Sequence, residues 1–300
     1  MSSSPRVAVV VVSYESRDTL ASCLEPLGRD GVPIETVVVD NASTDGSADA
    51  VRAFFPAASV IANPENHGFA RACNQGAHAT RAPLLLFLNP DAALERGALK
   101  ALAALFDERP RLGVAGPRTL GARGEIQVST GPDLSLVSEW RQRRLVRGVA
   151  ARHPRALAQA EALHSRERAV DWISGACLMV RRAAFDAVSG FDEGYFLYEE
   201  DADLCRRVRA AGFEVVFTPA AVARHALGRS MARAPERARL EYQRSHLRYY
   251  RTHRGLVPNA VLRVLLALRA TAGVVRGALS ADASGRQESL ALLRLALAGR

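Results

Sequence analysis

Lysine is all but missing from this chain: its 40 basic residues are 39 arginines and Lys100. The skew is compositional and points to no chemistry by itself. Cysteine is scarce, with four residues at positions 23, 73, 177 and 205 and no C-x-x-C pair. Those spacings suit neither a zinc site nor a disulfide framework, so the thiols read as buried and free in a reducing cytosol. No long apolar run is uninterrupted. Residues 7–12 form a run too short for a secretion signal, and Glu15, Arg17 and Asp18 follow it closely. The stretch Leu256–Leu279 is broken by Arg263, Arg269 and Arg276, which makes a membrane-spanning helix costly. The expectation is a soluble or peripheral protein. No G-x-G-x-x-G follows the first apolar run, where the residues are Ser13-Tyr14-Glu15-Ser16, so the sequence gives a dinucleotide site little support. Internal repeats and low-complexity tracts are absent too.

What remains is globular. The chain has 300 residues, 48% of them apolar and 24% charged, enough for one large domain or two small ones. The net charge of +9 is uneven: from Arg229 onward 14 arginines face four acids, a net of +10, which leaves −1 for residues 1–228. A neutral body with a basic tail suggests a tail that meets an anionic partner.

The first 120 residues alternate strand and helix patterns. Residues 7–12, 36–39 and 84–88 read as strands buried on both faces, and 17–27, 47–55, 68–80 and 95–107 as helices. That alternation predicts βαβ units and an α/β fold with a mostly parallel sheet. After Pro117, glycines 121, 124 and 131 mark loops or a hairpin, and residues 134–168 are basic and weakly periodic. A strand is expected at 172–180, a helix at 200–211 stopped by Gly212, and a strand at 214–217 stopped by Pro219. Helices are expected over much of 235–253, 258–279 and 286–298.

Ligands of open parallel sheets bind beyond the carboxyl ends of the strands, so candidate residues are sought there. Asp40, in Val39-Asp40-Asn41-Ala42-Ser43-Thr44, could accept from a nucleobase N–H, or could simply form an Asx turn ahead of a helix. Gly68 opens a helix that could approach a phosphate, and Arg71 could contact an anion or be merely a solvated charge. The strand 84–88 runs into Asn89-Pro90-Asp91. A carboxylate there suits a divalent cation such as Mg²⁺ or Mn²⁺, or else a turn that caps the next helix. Residues 192–203 carry six carboxylates interleaved with aromatics, a pattern of acids in a cleft where like charges raise a pKa toward that of a general base. Glu200 and Asp201 stand at the start of a helix, so capping and dipole roles also apply. His225 follows a strand beside Arg224 and could bind metal or phosphate, or be structural.

Taken in order, V-V-S-Y, V-D-N-A-S-T-D-G-S, N-x-G-F-A-x-x-x-N, N-P-D, W-I-S-G-A-C-L-M-V-R-R, G-F-D-E-x-Y-F-x-Y-x-E-D-x-D-L and H-x-x-G-x-S resemble the family-2 inverting glycosyltransferases of GT-A fold, most of all their bacterial rhamnosyltransferase-like branch. The resemblance runs from Val7 to Ser230. It implies a Rossmann-like GT-A domain over 1–230, with an acceptor-side insertion at about 132–170, followed by a basic amphipathic helical tail at 231–300. It further implies that Tyr14, Glu15, Asp40 and Asn41 bind the nucleoside of a nucleotide-sugar and that Asn66, Gly68 and Asn74 border its diphosphate. Asn89 and Asp91 would occupy the place of the family's D-x-D metal motif, which this chain alters to N-x-D. His225 would help hold the divalent cation or the diphosphate. Asp201, with Glu200 beside it, would be the catalytic base, and Trp172, Gly175, Asp192 and Tyr195 would line the acceptor side.

The implied donor is a nucleotide-sugar: dTDP-rhamnose is favoured, and UDP-galactofuranose, another UDP-hexose or a GDP-sugar are the alternatives. The implied acceptor is a glycan or polyprenyl-diphosphate-linked sugar of cell-wall or surface-polysaccharide biosynthesis. The expected location is the cytoplasm, with the tail either on the anionic inner face of the plasma membrane or packed on its own domain. Two rivals are weighed. A nucleic-acid or other non-catalytic binder is disfavoured because the basic tail is aliphatic while the aromatics sit among acids. Nucleotidyl transfer would be expected to use a glycine- and basic-rich loop, which residues 13–18 lack.

Overall fold

The computed structural model describes residues 4–226, 235–280 and 283–298. In chain order the elements are β1 (Val7–Ser13), α1 (Arg17–Leu24), β2 (Ile34–Asp40), α2 (Ser47–Phe54), β3 (Ala58–Ala62), α3 (Phe69–His78), β4 (Leu84–Leu88), β5 (Ala92–Leu94), α4 (Ala98–Glu108) and β6 (Leu112–Leu120). There follow β7 (Ile126–Gln127), β8 (Thr130–Gly131), α5 (Leu136–Ala150), α6 (Pro154–His164), β9 (Arg168–Ala169), β10 (Trp172–Ile173), β11 (Cys177–Arg181), α7 (Arg182–Ala187), α8 (Glu200–Ala210) and β12 (Glu214–His225). Last come α9 (Pro235–His253), α10 (Leu256–Leu279) and α11 (Ala283–Leu297). The chain divides into an α/β unit, Met1–Gly194 with Glu200–Arg229, and a helical unit, Tyr195–Glu199 with Ser230–Arg300.

The α/β unit is built on a sheet of order β3-β2-β1-β4-β11-β6-β12-β5, with β7 on β6 and β9 on β12. Strands β3, β2, β1 and β4 are parallel, as are β6 and β12; β11 and β5 run antiparallel to their neighbours. The mostly parallel α/β sheet expected from the sequence is present. Every residue of β1 and β4 is buried, because helices cover both faces. Alternation then sorts the side chains: Leu84, Leu86 and Leu88 join one core cluster with residues of α1 and α4. Phe87 points the other way, with ring centroids 5.5 Å from Phe185 and 4.9 Å from Phe191.

Several boundaries differ from the expectations, each for a local reason. The first helix stops at Leu24 rather than 27, just before Pro26. The helix expected from 95 begins at Ala98, and the strand β5 precedes it. Asp30, from another loop, accepts from Gly97 N at 2.6 Å and Leu99 N at 3.0 Å and so caps that helix. Pro219 does not end its strand: β12 continues to His225 through a register shift between Thr218 and Val222, where the missing N–H is harmless. The basic stretch 134–168 is two helices, α5 and α6, and the strand expected at 172–180 breaks at Ser174-Gly175-Ala176 into β10 and β11.

Candidate active site

The carboxyl ends of β1 and β2 lie side by side, Ser13 registered on Asp40. Asp40 is buried; its Oδ1 accepts from Ser43 Oγ at 2.6 Å and its Oδ2 from Ser43 N at 3.0 Å. The Asx turn is therefore real, and each oxygen has a second lone pair by which a nucleobase N–H could still be met. Glu15 stitches the two loops together, its Oε1 accepting from Thr44 N at 2.7 Å and Thr44 Oγ1 at 3.0 Å. Tyr14 beside it is 45% exposed.

Asn41 is buried and looks toward α3: its Nδ2 donates to Gly68 O at 3.0 Å, and its Oδ1 accepts from Asn63 Nδ2 at 2.9 Å. Gly68 has φ +83 at the cap of α3, and its N–H donates to Asn66 Oδ1 at 2.9 Å. Asn74, expected beside a diphosphate, is buried and ties two segments together. Its Nδ2 donates to Phe191 O at 2.9 Å and Glu193 Oε1 at 3.1 Å, and its Oδ1 accepts from Phe191 N at 2.9 Å.

Asn89 leaves the end of β4, and its N–H donates to Ala176 O at 3.0 Å. Asp91 Oδ1 stands 3.2 Å from His225 Nε2, and both side chains are largely shielded from solvent. Strand pairing sets this meeting: His225 pairs with Ala92 of β5, and Ala226 N donates to Asp91 O at 3.0 Å. Asn89 Nδ2 is 3.4 Å from the same His225 Nε2.

Gln127, which the sequence did not single out, orients that imidazole. Its Nε2 donates to His225 O at 2.6 Å, which turns its Oε1 toward His225 Nδ1 at 3.1 Å. Nδ1 then carries a ring proton, which leaves Nε2, the nitrogen that faces Asp91, as the one that could take a metal. Nothing in the sequence marks Gln127; only the pairing of β7 with β6 brings it to a histidine 98 residues away.

An oxygen and a nitrogen donor side by side suit Mg²⁺ or Mn²⁺. Among the described residues no group of three or more His, Cys, Asp or Glu could hold a metal ion. Asp91 and His225 bring two such donors together.

Asp201 sits in the first turn of α8, and its Oδ2 accepts from Gly175 N at 2.7 Å. A Cβ on Gly175 would lie 3.4 Å from Phe69 Cε1 and 3.6 Å from Asp201 Oδ2, so the backbone comes close to the carboxylate. The next residue, Ala176, holds Asn89. Two consecutive residues thus join Asp201 to the carboxyl end of β4.

Glu200 is buried, and after burial itself its charge is what lifts the Cys73 thiol well above the usual range. Burial likewise pushes Cys205 up to about 12, with the Asp201 charge adding to it. All four cysteines are free and buried, as expected. Of the residues expected on the acceptor side, Gly175 is bonded to Asp201. Trp172 Nε1 donates to Pro132 O at 3.0 Å, and Asp192 Oδ1 accepts from Gly194 N at 2.9 Å in a turn. Tyr195 is buried within the helical unit, with Arg248 5.3 Å above its ring. Gly228 and Ser230, from the last motif, lie outside the described residues.

A mostly parallel sheet with acidic loops at its strand ends and an Asp–His pair beside them is the arrangement of a GT-A nucleotide-sugar transferase. The family model described as "Glycosyltransferase like family 2" matches residues 5–252, so the chain belongs to that family and is a glycosyltransferase. The N-acetylglucosaminyl-diphospho-decaprenol L-rhamnosyltransferase of Mycobacterium tuberculosis is 32% identical over 240 residues, 76% of this chain and 78% of that one. Rhamnosyltransferase WbbL of Escherichia coli is 45% identical over 65 residues, 22% of this chain and 24% of that one. Among solved structures, a mannosyltransferase from Pyrobaculum calidifontis in complex with GDP-Man and Mn²⁺ superposes with TM-score 0.58 at 18% identity, covering 98% of this chain and 86% of that one. GalNAc-T7 with UDP, GalNAc and Mn²⁺ gives 0.55 at 14% identity, covering 75% and 44%. These two likenesses speak for the GT-A fold alone. Family membership sets aside both rivals weighed from the sequence.

Proposed function

We propose that the protein is an inverting rhamnosyltransferase that moves L-rhamnose from dTDP-rhamnose to a hydroxyl of a polyprenyl-diphosphate-linked sugar. The observation that carries the mechanism is the Gly175–Ala176 link, which joins the Asp201 carboxylate to Asn89 at the carboxyl end of β4. The activities of the Mycobacterium tuberculosis and Escherichia coli relatives, as their names give them, support the sugar, and the mycobacterial one supports the lipid-linked acceptor.

Single displacement with inversion needs a base at the acceptor hydroxyl and a stabilised leaving group. Asp201 takes the hydroxyl proton, with Gly175 N–H holding Oδ2 in direction so that the carboxylate does not turn away. Asp40 and Glu15 hold the nucleoside, and Tyr14 covers it. Asp91 and His225 hold a divalent cation, with Asn89 beside them. When bound, that cation neutralises charge building on the departing nucleoside diphosphate, worth several kcal/mol.

The helical unit supports a peripheral membrane location. No helix among the described residues is long and apolar enough to cross a membrane. Yet α10 exposes Leu256, Val264, Leu265, Leu268 and Leu279 and carries Arg263, Arg269 and Arg276 with no acid, a composition that suits an anionic lipid surface.

A thermal-shift panel of dTDP-, UDP- and GDP-sugars with and without Mn²⁺ tests the donor. Stabilisation by dTDP-rhamnose that requires Mn²⁺ is expected; stabilisation by a GDP-sugar alone would overturn the donor assignment. Sedimentation with anionic vesicles tests the location, and no binding at low salt would refute it.

A further inference from the structure

The basic stretch at 134–168, which the site leaves unused, folds into α5 and α6 within the α/β unit. It carries eight arginines and three acids. Each acid already faces an arginine: Glu139 stands 3.2 Å from Arg143, Glu161 stands 2.8 Å from Arg118, and Glu167 bonds Arg109. Among the described residues Arg141, Arg144 and Arg147 have no acid partner, so these charges are not neutralised within the fold.

Helix α5 also reverses the usual sorting of side chains. Of its 15 residues only Glu139 and Leu145 are buried, while Val137 and Trp140 are each 60% exposed. A helix that rests on a core hides its aromatic residues and shows its acids. Here positions 137, 140, 141 and 144, spaced i, i+3, i+4 and i+7, form one solvent face of a valine, a tryptophan and two arginines, with Arg147 two turns beyond Trp140. Arg144 lies 5.7 Å over the Trp140 ring, so the aromatic and the charge are presented together.

An indole has an apolar body and a polar N–H, and it settles at the boundary between hydrocarbon and headgroup. Arginines on the same face meet the lipid phosphates there. An acidic peptide would answer the arginines but not the exposed valine and indole. We propose that the Val137, Trp140, Arg141 and Arg144 face of α5 docks the enzyme on an anionic lipid surface. This rests on the peripheral location proposed above and adds to it a contact made by the α/β unit itself, apart from α10.

The test uses the full chain with vesicles of phosphatidylglycerol and phosphatidylcholine whose acyl chains carry bromine, which quenches an indole that it touches. Sedimentation reads binding, and tryptophan emission reads whether Trp140 enters the lipid. The chain has two tryptophans, and Trp140→Phe separates Trp140 from Trp172. Wild type is expected to sediment and to show a quenched, blue-shifted emission that Trp140→Phe lacks. Arg141→Gln together with Arg144→Gln is expected to weaken partitioning about 25-fold, about fivefold for each arginine, and vesicles of phosphatidylcholine alone are expected to bind far less. All three side chains are exposed, so melting temperatures should hardly move. Vesicles that pellet the protein without quenching Trp140 would overturn this docking face and leave the peripheral location standing. Failure to pellet at low salt would remove both. Quenching that persists in Trp140→Phe would assign the contact to Trp172 and overturn the proposal too. Polyglutamate is the remaining arm: a blue shift with that peptide and none with vesicles would replace the lipid by an acidic protein surface.

Discussion

Deleting the carboxamide of Gln127 should loosen the grip on a divalent cation while leaving the fold intact. In the wild-type protein the Gln127 amide makes two hydrogen bonds to one residue, to His225 O at 2.6 Å and Nδ1 at 3.1 Å. Each such bond contributes about 0.5–1.5 kcal/mol net, so Gln127→Ala is expected to destabilise the protein by about 1–3 kcal/mol at most. The effect on the cation is more specific. Without Oε1 to hold Nδ1–H, the ring is free to rotate and to exchange tautomers, and Nε2 no longer points at Asp91. Loss of such an orienting partner typically costs 10- to 100-fold in metal affinity, about 1.4–2.7 kcal/mol. The assay is Mn²⁺ titration followed by electron paramagnetic resonance of the free ion, with saturating nucleoside diphosphate, on Gln127→Ala and Gln127→Glu. The Glu variant keeps an acceptor for Nδ1–H but loses the donor to His225 O, so it should fall between Ala and wild type. Wild-type Mn²⁺ affinity in Gln127→Ala would refute the reasoning, and so would a loss confined to a variant that has already melted.

Three further outcomes are expected. Asn89→Asp places a second carboxylate near Asp91 and His225 and should tighten Mn²⁺ several-fold; in metal-free buffer it should lower the melting temperature through like-charge repulsion, and the same titration and a melting curve check both. Asp30→Ala removes the cap of α4 and should cost about 1–2 kcal/mol in urea unfolding with kcat retained below the transition. Burial, helped by Arg168 and Arg118, holds the His164 imidazole below its ordinary value of 6.5, so below that pH the unfolded chain binds a proton that the folded chain refuses. Stability is therefore full above that value and falls as pH drops below it; His164→Leu should flatten this slope in urea midpoints measured between about pH 7.5 and 5.5.

The parts of the fold that were legible in the sequence are those where burial on both faces leaves a continuous apolar run. Residues of β1, β2 and β4 announce themselves this way, and so do the acid-rich turn before α8 and the N-P-D after β4. Strand β6 was not legible because Leu112–Leu120 contains two glycines and Pro117, which interrupt any apolar run. It survives as a central strand because Pro117 pairs with Thr218, where β12 itself shifts register and does not need a regular ladder bond. Of the site, the acids and His225 could be read from spacing. Their supports could not: Gln127 comes from a distant segment with no local pattern, and the tie that Asn74 makes to Phe191 leaves no mark in the sequence.

The break between β10 and β11 explains why these supports converge. A continuous strand through 172–180 would spend the Gly175 N–H and Ala176 O on a neighbouring strand. Interrupting it at Ser174-Gly175-Ala176 frees one donor for Asp201 and one acceptor for Asn89. Those two groups belong to neighbouring residues, so Asp201 and the N-P-D turn are tied to one short stretch of backbone. Any side chain at 175 would come within 3.4 Å of Phe69 and 3.6 Å of Asp201 Oδ2. Both are ordinary van der Waals distances, so it is the strand break that brings this stretch of backbone to Asp201 and Asn89.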